Sequence, residues 1–566
     1  MEIQRPVLLA SRCQACRPSL ASSRPSQSQH QFRRLANTAR LADDAFRYTS
    51  GRWLYNESKR LEERCLHFDM AALRLAAARS LNRPEEDIIS IIKLAEGGFN
   101  RVFTLTMRDG LQVIARLPYP SNQPRCLATA SEVATMNLVR SHGVPTPAVY
   151  GYSTDCYSFV GSEYILMEKM SGRCLADVWF ELSDSQRVKV LGEIVDLEVK
   201  LFNINLPAYG SIYQNADLPD GFDRVQIGQR EGKFCVGPDV SLKHWFGTRS
   251  YLDFRRGPSI TPLAVLQRAA EKEVMWLRTH GRPRLPFDRE FREMFDYQKT
   301  DPKEHLQALE AYLEVAPYIV PSEKWLHRPI LRHPDLTPNN IFVDEDYRIT
   351  GIIDWQHASV LSLFLHAGIP KSFQNYGDPQ SEELQKPKMP SPDDLDEDED
   401  DYRKDLELYR RRHAHYYYVA ATASKLNMHW KAMTQARGLL RRKIYEHAAE
   451  PWEGNSIPLK AALVQLMSDW PALGDPNVAC PIDYSEPEVH DIMQNASAQE
   501  EMDRQMAILR DVIGVTSDGW MPCESYGDAV DRAAEMKQIA LRDADDEVER
   551  EMIRAHWPFD DFDEDH

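Results

Sequence analysis

One stretch, from Leu331 to Gln356, constrains the fold of this chain more than any other: LRHPDLTPNNIFVDEDYRITGIIDWQ. Two runs of β-prone residues, 340–343 and 348–353, stand on either side of a polar triplet at 344–346. Such runs, separated by a short polar segment, predict a β-hairpin with a tight turn. Because a hairpin places its two open ends side by side, residues that enter the first strand and leave the second should lie close together.

Three oxygen-bearing side chains belong to the open end of this predicted hairpin: Asp335, Asn340 and Asp354. Asn340 enters the first strand, Asp354 leaves the second, and Asp335 lies in the preceding loop. A phosphoryl transfer enzyme needs a carboxylate to orient the acceptor hydroxyl and separate oxygen ligands to hold Mg²⁺ on the nucleotide phosphates. The pattern predicts Asp335 in the first role and Asn340 with Asp354 in the second. We interpret His333 as a structural residue that hydrogen bonds to the loop backbone.

HPDLTPNNIF followed by IIDWQ resembles the catalytic and metal-binding loops of the aminoglycoside phosphotransferase and choline kinase group, which are relatives of protein kinases. The resemblance implies a two-lobed, kinase-like α+β fold with a β-rich N-terminal lobe and a larger helical C-terminal lobe. It also implies ATP and Mg²⁺ as cofactors, with Asp335 as catalytic base and Asn340 and Asp354 as metal ligands. The chain lacks an Arg after His333 and a Phe-Gly after Asp354, which favours a small-molecule acceptor over a protein. An ordinary acidic hairpin is the alternative for any one of these residues.

The formal net charge of −18 is spread unevenly along the 566 residues. Residues 1–42 contain seven Arg, no Lys and a single acidic residue, Glu2. The remainder, with 61 basic and 85 acidic residues, carries −24. Because an acidic body repels polyanions, the composition argues against nucleic acid or an anionic membrane as the main partner.

The Arg- and Ser-rich segment 1–42 has the composition of a mitochondrial transit peptide, whose positive charge is drawn inward by the membrane potential. It lacks the long apolar core of a secretory signal, and a disordered basic arm is the alternative. No window along the chain reaches about eighteen uninterrupted apolar residues, the length that a transmembrane helix needs. We therefore expect a protein of the mitochondrion, in its matrix, without a transmembrane segment.

A glycine pair, Gly97 and Gly98, interrupts a β-prone run that begins after Asp87. The run predicts three strands, joined by a Gly-Gly turn and an Asp-Gly turn. Because they lack a Cβ, the two glycines would let the backbone approach phosphate oxygens closely and would tolerate unusual φ angles. A simple hairpin that binds nothing is the alternative explanation of this pair.

The kinase-like resemblance assigns roles to four further residues. It implies that Arg116, at the end of the third predicted strand, is the cation that reaches the α and β phosphates, although these families carry Lys there. A guanidinium can neutralise phosphate and pair with a carboxylate, but its geometry and hydration differ from those of an ammonium. The resemblance also implies that Glu132 pairs with Arg116, and that backbone groups of Glu168 and Met170 contact adenine at the hinge.

The chain divides into six predicted parts. They are a transit peptide (1–42), a helical extension (43–86), a nucleotide-binding lobe (87–170), a second lobe with the catalytic and metal loops and an insertion (171–385), an acidic disordered linker (386–404) and a helical C-terminal region (405–566). The long insertion, between Tyr209 and Trp325, either selects the acceptor as a cap or braces the fold, and both explanations stay open.

Two functions from different classes follow as hypotheses. The first is an ATP- and Mg²⁺-dependent phosphotransferase that acts on a small hydroxylated molecule. The second is a non-catalytic kinase-like protein that supports mitochondrial inheritance or maintenance through protein interactions. Arg116, the insertion and the C-terminal helices motivate the second, as does the resemblance of the whole chain to a family of fungal mitochondrial proteins named for altered inheritance of mitochondria. The sequence does not identify the acceptor or any protein partner.

Overall fold

The computed structural model describes residues 45–228, 232–390, 399–473 and 478–564. The predicted transit peptide, residues 1–42, lies outside these ranges, and so does the acidic run 391–398. The chain forms a two-lobed, kinase-like α+β fold with a sheet lobe followed by a larger helical lobe, as the sequence predicts. Within the described ranges, we find no helix with both the length and the apolar character required to cross a bilayer.

The segment before the first lobe contains one strand and two helices: β1 (Gly51–Trp53), α1 (Glu57–Glu63) and α2 (Met70–Ser80). Asp69 caps α2 by accepting a hydrogen bond from the backbone N–H of Ala72 at 2.9 Å, which pairs one of the free donors at the helix start. Leu73, Ala76, Ala77 and Ala78 of α2 are buried against the outer face of the sheet that follows. This segment therefore covers the first lobe.

The first lobe consists of five strands and one helix: β2 (Ile88–Glu96), β3 (Asn100–Met107), β4 (Gln112–Pro118), α3 (Leu127–Ser141), β5 (Val149–Ser153) and β6 (Tyr164–Glu168). The strands form an antiparallel sheet in the spatial order β2-β3-β4-β6-β5. Successive side chains of β4 point to opposite faces. Val113 and Ala115 pack with α2, whereas Ile114 joins the main core, the buried cluster that both lobes share. The same alternation directs Arg116 towards the second lobe.

The second lobe begins with a two-residue strand and two helices: β7 (Arg173–Cys174), α4 (Leu175–Val178) and α5 (Asp184–Phe202). Ser183 and Gln186 form a capping box at the start of α5, so two backbone donors are paired there. Apolar residues of α5, including Leu191 and Ile194, are buried in the main core. This helix therefore forms the wall of the core that its helical apolar spacing predicts.

The insertion contains a small sheet and two long helices: β8 (Ser211–Gln214), β9 (Val225–Gln226), β10 (Phe234–Gly237), α6 (Pro262–His280) and α7 (Pro302–Ile319). Its strands lie in the order β8-β10-β9. Gly210, next to β8, forms an antiparallel bridge with Val360. The insertion therefore braces the second lobe, while a part in acceptor selection stays a prediction.

The hairpin predicted from the sequence is present. The hairpin consists of β12 (Ile341–Val343) and β13 (Ile349–Ile352), and it lies in the chain between β11 (Pro329–Leu331) and β14 (Val360–Ser362). Ile341 lies opposite Ile352 in the antiparallel pair of β12 and β13, and β7 extends the sheet on the other side of β12. Asp344 closes the turn by accepting hydrogen bonds from the backbone N–H groups of Asp346 at 2.9 Å and Arg348 at 2.8 Å.

Helices dominate the rest of the chain, with one further strand: α8 (Leu363–His366), α9 (Pro379–Glu382), α10 (Glu399–Lys425), α11 (Asn427–Met433), α12 (Gly438–Ala449), α13 (Ile457–Ser468), α14 (Trp470–Leu473), α15 (Glu486–Ile513), β15 (Trp520–Pro522), α16 (Tyr526–Asp543) and α17 (Glu547–His556). Helix α10 packs along α5, and α12 and α13 contribute to the main core. Residues 506–564, the C-terminal unit, surround a separate core that includes Met506, Ile513 and Met521. Leu54 and Tyr55 pack against that core, and β1 pairs with β15.

Three helices differ from the sequence prediction. The described part of helix α10 starts at Glu399, inside the predicted linker 386–404. The residue pattern predicts a helix from Ala498 to Ile513, but helix α15 begins earlier, at Glu486, at a capping box. The pattern also predicts one helix from Tyr526 to Arg554, but the chain forms two, α16 and α17, since Asp546 caps a new helix by accepting from the N–H of Glu549.

A buried ion pair ties α5 to the loop that leads into the hairpin. Arg332 Nε donates to Glu198 at 3.0 Å, and the hydroxyl of Tyr418, on α10, donates to the same carboxylate at 2.5 Å. The side chain of Glu198 is only 3% exposed. Three distant parts of the chain therefore share one desolvated carboxylate.

We expect Glu198→Ala to lower the free energy of unfolding by about 3–5 kcal/mol, because it leaves the Arg332 guanidinium without its buried counter-ion. Asp196→Ala is the matched control on the same helix, since Asp196 pairs with Lys425 while its own side chain is 53% exposed. The control should lose less than about 1 kcal/mol. Chemical denaturation measures both values, and equal losses would contradict the role of burial.

Candidate active site

His333 holds the loop before the hairpin in place. Its Nε2 donates to the carbonyl of Ile353 at 2.9 Å, and its Nδ1 accepts from the backbone N–H of Asp335 at 3.1 Å. The ring also meets the edge of Trp355, with centroids 4.6 Å apart. Burial lowers the pKa of His333 below its usual value, which favours the neutral ring that these two bonds require. Its contacts are therefore structural, as predicted.

The loop and both ends of the hairpin converge. Asn340 Nδ2 donates to the backbone oxygen of Asp335 at 2.9 Å and lies 3.3 Å from its carboxylate Oδ2. The backbone N–H of Ile353, next to Asp354, donates to the carbonyl of Asn340 at 3.0 Å. Because both bonds of the Asn340 side chain use its nitrogen, the amide oxygen is the atom that would bind a cation.

Asp354 lies where the chain turns sharply after the hairpin. Its φ angle is 66°, in the left-handed region that Asp tolerates better than most residues. The side chain is 42% exposed, and its Oδ1 accepts a hydrogen bond from Arg116 Nη2 at 2.7 Å. This bond joins the end of strand β4 in the first lobe to the candidate metal loop in the second.

Arg116 is the centre of the contacts between the lobes. It is buried and forms an ion pair with Glu132 of α3, which is itself 4% exposed. Its Nη2 also lies 2.6 Å from Gln356 Oε1. The structure thus brings Arg116 and Glu132 together as the resemblance implies, and it places Glu132 in the interior rather than on an exposed helix face.

Three residues that sequence reasoning did not assign to the site also lie at this junction. The side-chain amide of Asn100 lies 2.7 Å from Gln356 Oε1 and within hydrogen-bond reach of Arg116. His357 Nδ1 donates to the carbonyl of Val240 in the insertion at 2.7 Å. In the sequence, the only indications of these contacts were the polar residues Gln356 and His357, soon after Asp354, and Asn100, soon after the glycine pair. The spacing of these residues does not specify a partner.

The glycine pair has an ordinary backbone. Neither Gly97 nor Gly98 has a positive φ. A Cβ at Gly98 would meet no atom within 4 Å, and one at Gly97 would come no closer than 3.9 Å to the backbone oxygen of Asn100. The tolerance of unusual φ that the sequence suggested is therefore not used here. Close approach of a ligand to these glycines stays a prediction.

The hinge between the lobes packs on the hairpin. Glu168 N–H donates to the carbonyl of Ala148 at 2.8 Å, and the Glu168 carboxylate accepts from the N–H of Ala148 at 3.0 Å. The Met170 side chain covers Gly351 of β13 so closely that a Cβ there would collide with it. These contacts place Glu168 and Met170 at the lobe junction, although adenine contacts stay a prediction.

Within the described ranges, no group of three or more His, Cys, Asp and Glu side chains is placed to hold a metal ion. Mg²⁺ at a nucleotide needs no such group, because one or two protein ligands suffice when phosphate oxygens and water supply the rest. Asp354 and the amide oxygen of Asn340 are hard oxygen donors of the kind that Mg²⁺ prefers. The donor set therefore fits a nucleotide-bound magnesium ion.

Comparison with known proteins places this site in a family. The model described as "Phosphotransferase enzyme family" matches residues 90–361, which include all of the site residues above. Over 505 residues, the chain is 30% identical to a subtelomeric hrmA-associated cluster protein of Aspergillus fumigatus, covering 83% of this chain and 96% of that protein. The chain belongs to the phosphotransferase enzyme family.

Other relatives of this phosphotransferase-family chain are fungal proteins named altered inheritance of mitochondria protein 9, mitochondrial. The chain is 22% identical over 582 residues to the Candida tropicalis protein, covering 91% of this chain and 90% of that one. Over 409 residues it is 24% identical to the protein of Saccharomyces cerevisiae strain S288c, covering 59% of this chain and 64% of that one.

Among solved structures, the chain is similar to a thermostable mutant of aminoglycoside phosphotransferase APH(4)-Ia in complex with ADP and hygromycin B. That similarity has 14% identity and a TM-score of 0.32, and it covers 69% of this chain and 95% of the other.

Two glycines of the phosphotransferase-family site should respond differently to alanine. Gly172, after the hinge, has a φ of 97°, and a Cβ there would collide with the carbonyl of Val343. We expect Gly172→Ala to lower the free energy of unfolding by about 1–3 kcal/mol. Gly98→Ala, with open space around its new methyl group, should not destabilise the protein. Urea denaturation compares the two, and a loss in Gly98→Ala would show that the turn needs glycine for folding.

Proposed function

We propose that this protein is an ATP- and Mg²⁺-dependent phosphotransferase that acts on the hydroxyl group of a small molecule. One observation carries the proposal: the carboxylate of Asp335 lies beside Asn340, and Asp354 of the same hairpin meets Arg116 across the lobe junction. A hydroxyl-orienting carboxylate, oxygen ligands for a cation and a phosphate-directed cation are the groups that phosphoryl transfer uses. Membership of the phosphotransferase family supports the same assignment.

Asp335 is the catalytic base of this proposal. Its side chain is exposed, so an acceptor can reach it, while the bonds from Asn340 Nδ2 and to His333 fix the loop that carries it. Asp335 orients the acceptor hydroxyl and accepts its proton as the hydroxyl oxygen bonds to the γ-phosphorus and the nucleoside diphosphate leaves.

Asn340 and Asp354 are the proposed Mg²⁺ ligands. When bound, Mg²⁺ neutralises negative charge on the β and γ phosphates. Asn340 holds its amide oxygen in place through the two contacts of its nitrogen with Asp335. On nucleotide binding, Asp354 would release Arg116 and bind the cation, while Arg116 would bind the phosphates. The partial exposure of Asp354 permits that exchange.

The proposed nucleotide site lies between β2, the glycine pair and the hinge. Ile92, Thr104 and Ile114 are paired across β2, β3 and β4, so they share the face of the sheet that carries Arg116. Ile92 is apolar and 58% exposed on this face, where it would cover the base. Backbone groups of Gly97 and Gly98 would approach the phosphates, and those of Glu168 and Met170 would contact adenine.

Arg116 directs the α and β phosphates while Glu132 holds it in place. A buried guanidinium with an ion-paired carboxylate keeps its charge and presents several N–H donors in one plane. The ion pair with Glu132 uses one side of that fork, and the other side faces Asp354 and Gln356. Phosphate oxygens would therefore compete for the second side.

The proposed location is the mitochondrial matrix. Relatives that cover most of this chain are named as mitochondrial proteins, and residues 1–42 have the Arg-rich, acid-poor composition of a transit peptide. A small-molecule acceptor in that compartment fits the acidic body of the chain, which does not attract nucleic acid or an anionic membrane.

A second candidate is a kinase-like protein that acts through protein interactions without turnover. The observation in its favour is the direct bond from Arg116 to Asp354, which occupies an oxygen that a catalytic metal would use. The names of the relatives refer to mitochondrial inheritance rather than to a reaction. The two candidates differ in whether ATP and Mg²⁺ bind and turn over.

Asp335→Asn should lower turnover by about 10²–10⁴-fold, because the amide cannot accept the proton of the acceptor. The dissociation constant of ATP should stay unchanged, since Asp335 contacts the acceptor and not the nucleotide. Asp346→Asn is the control, an exposed Asp in the turn of the same hairpin. A metabolite pool incubated with radiolabelled ATP supplies the acceptor and the readout. Full turnover in Asp335→Asn would refute its role as base.

Thermal shift with ATP and Mg²⁺ separates the two candidates. At about 100 times its dissociation constant, a ligand stabilises the folded state by about 2.7 kcal/mol. We expect a Mg²⁺-dependent rise in Tm that is present in Asp346→Ala and absent from Asp354→Ala. The absence of any shift in the unmutated protein would favour the interaction protein.

A further inference from the structure

A buried ion pair joins β2 and β3, the strands on either side of the glycine pair. Glu96 ends β2 and lies opposite Arg101 of β3. Arg101 Nε lies 3.0 Å from Glu96 Oε1, and both side chains are 0% exposed. Lys93 Nζ approaches the same oxygen at 3.1 Å. The base of the glycine turn is therefore a desolvated cluster of one carboxylate and two cations.

The second oxygen of Glu96 binds the N-terminal arm, residues 45–53. Glu96 Oε2 accepts from the backbone N–H of Thr49 at 2.7 Å and from the N–H and hydroxyl of Ser50 at 3.0 Å each. Arg101 Nη1 donates to the carbonyl of Ala45 at 3.0 Å, and Lys93 Nζ donates to Thr49 Oγ1 at 2.6 Å. Glu96 and the two cations that pair with it therefore all bind the arm as well.

The other end of the arm belongs to the C-terminal unit. Residues 51–53 form β1, which pairs with β15 at 520–522. Trp520 Nε1 donates to the hydroxyl of Tyr48 at 2.9 Å, and Trp53 Nε1 donates to Asp518 Oδ2 at 3.2 Å. Trp53 is 1% exposed. The arm is thus held at one end by the C-terminal unit and at the other by Glu96 and Arg101.

We propose that the C-terminal unit positions the glycine turn for nucleotide through the N-terminal arm, so that residues far from the cleft determine nucleotide affinity. The inference rests on the proposed nucleotide site and adds its regulation. Glu96 and Arg101 are positioning residues, because they flank the turn at 97–99 without being assigned a contact with nucleotide. Anything that separates β1 from β15 releases the turn.

The size of the effect follows from the population of the ordered turn. Gly97 N–H donates to the carbonyl of Asn100 at 2.9 Å, which closes the turn. If only about one-tenth of the molecules keep the turn ordered, the apparent dissociation constant of nucleotide rises about tenfold. The two flanking strands stay paired by their ladder, so the loss is confined to the turn and the arm.

Gly51→Ala tests the proposal from the remote end. A Cβ at Gly51 would collide with Trp520 and with the carbonyl of Met521, which separates β1 from β15 without touching the cleft. Hydrogen exchange measured on the full chain should show the amides of Thr49, Ser50 and Gly97 exchanging about tenfold faster. The dissociation constant of ATP with Mg²⁺ should rise about tenfold.

Two further variants complete the test. Glu96→Gln removes the charge at the near end and should give the same result if Gly51→Ala does not fold. Asp109→Asn is the matched control, because Asp109 pairs with Arg83 at 2.6 Å at the opposite end of the β3-β4 hairpin. It should leave both exchange at Gly97 and the affinity for ATP unchanged.

The outcomes separate this inference from the proposed function. Unchanged exchange at Gly97 while Thr49 and Ser50 are released would overturn the inference, whatever the protein binds. Faster exchange at Gly97 with unchanged ATP affinity would overturn the control of affinity. If the unmutated protein binds no ATP, the proposed function fails, and exchange at Gly97 still decides whether the arm orders the turn.

Discussion

The arrangement of the two lobes depends on the neutralisation of one buried cation. Arg116 lies near the end of strand β4, where water cannot solvate its charge. Two carboxylates pair with it instead, Glu132 from α3 and Asp354 from the loop after β13. A desolvated guanidinium that lost one of these partners would cost several kcal/mol. The strand β4, the helix α3 and the loop after β13 are therefore held together around Arg116, and the candidate catalytic residues face one junction.

Around this centre, the structure uses buried charge repeatedly to join distant segments. Glu198 connects α5 with the loop before the hairpin and with α10, and Glu96 connects β2 with the N-terminal arm. The family resemblance covers residues 90–361, whereas the arm and the C-terminal unit lie outside it and are joined to each other by β1 and β15. The arm and the C-terminal unit thus form a single addition that reaches the glycine turn.

Residue patterns within short stretches of the sequence were sufficient to predict the hairpin of the candidate site. The β-prone runs and the turn residues between Asn340 and Ile353 predicted the hairpin. The candidate base and metal ligands follow from that hairpin because its geometry is short-range. Asn100 and Glu96 were missed as junction residues, since their partners lie hundreds of positions away or in the N-terminal arm.

The amino-acid sequence by itself determined the hairpin, because a hairpin depends on contacts between near neighbours in the chain, and the family resemblance of its motifs implied the two-lobed class and the candidate site residues. Tertiary structure alone decided that Glu132 is buried, that Arg116 bonds directly to Asp354, and that the N-terminal arm links the C-terminal unit to Glu96 beside the glycine pair. These features arise from packing between segments brought together only when the cores form. A side chain's burial and its charge partner are properties of that packing, which residue spacing does not encode.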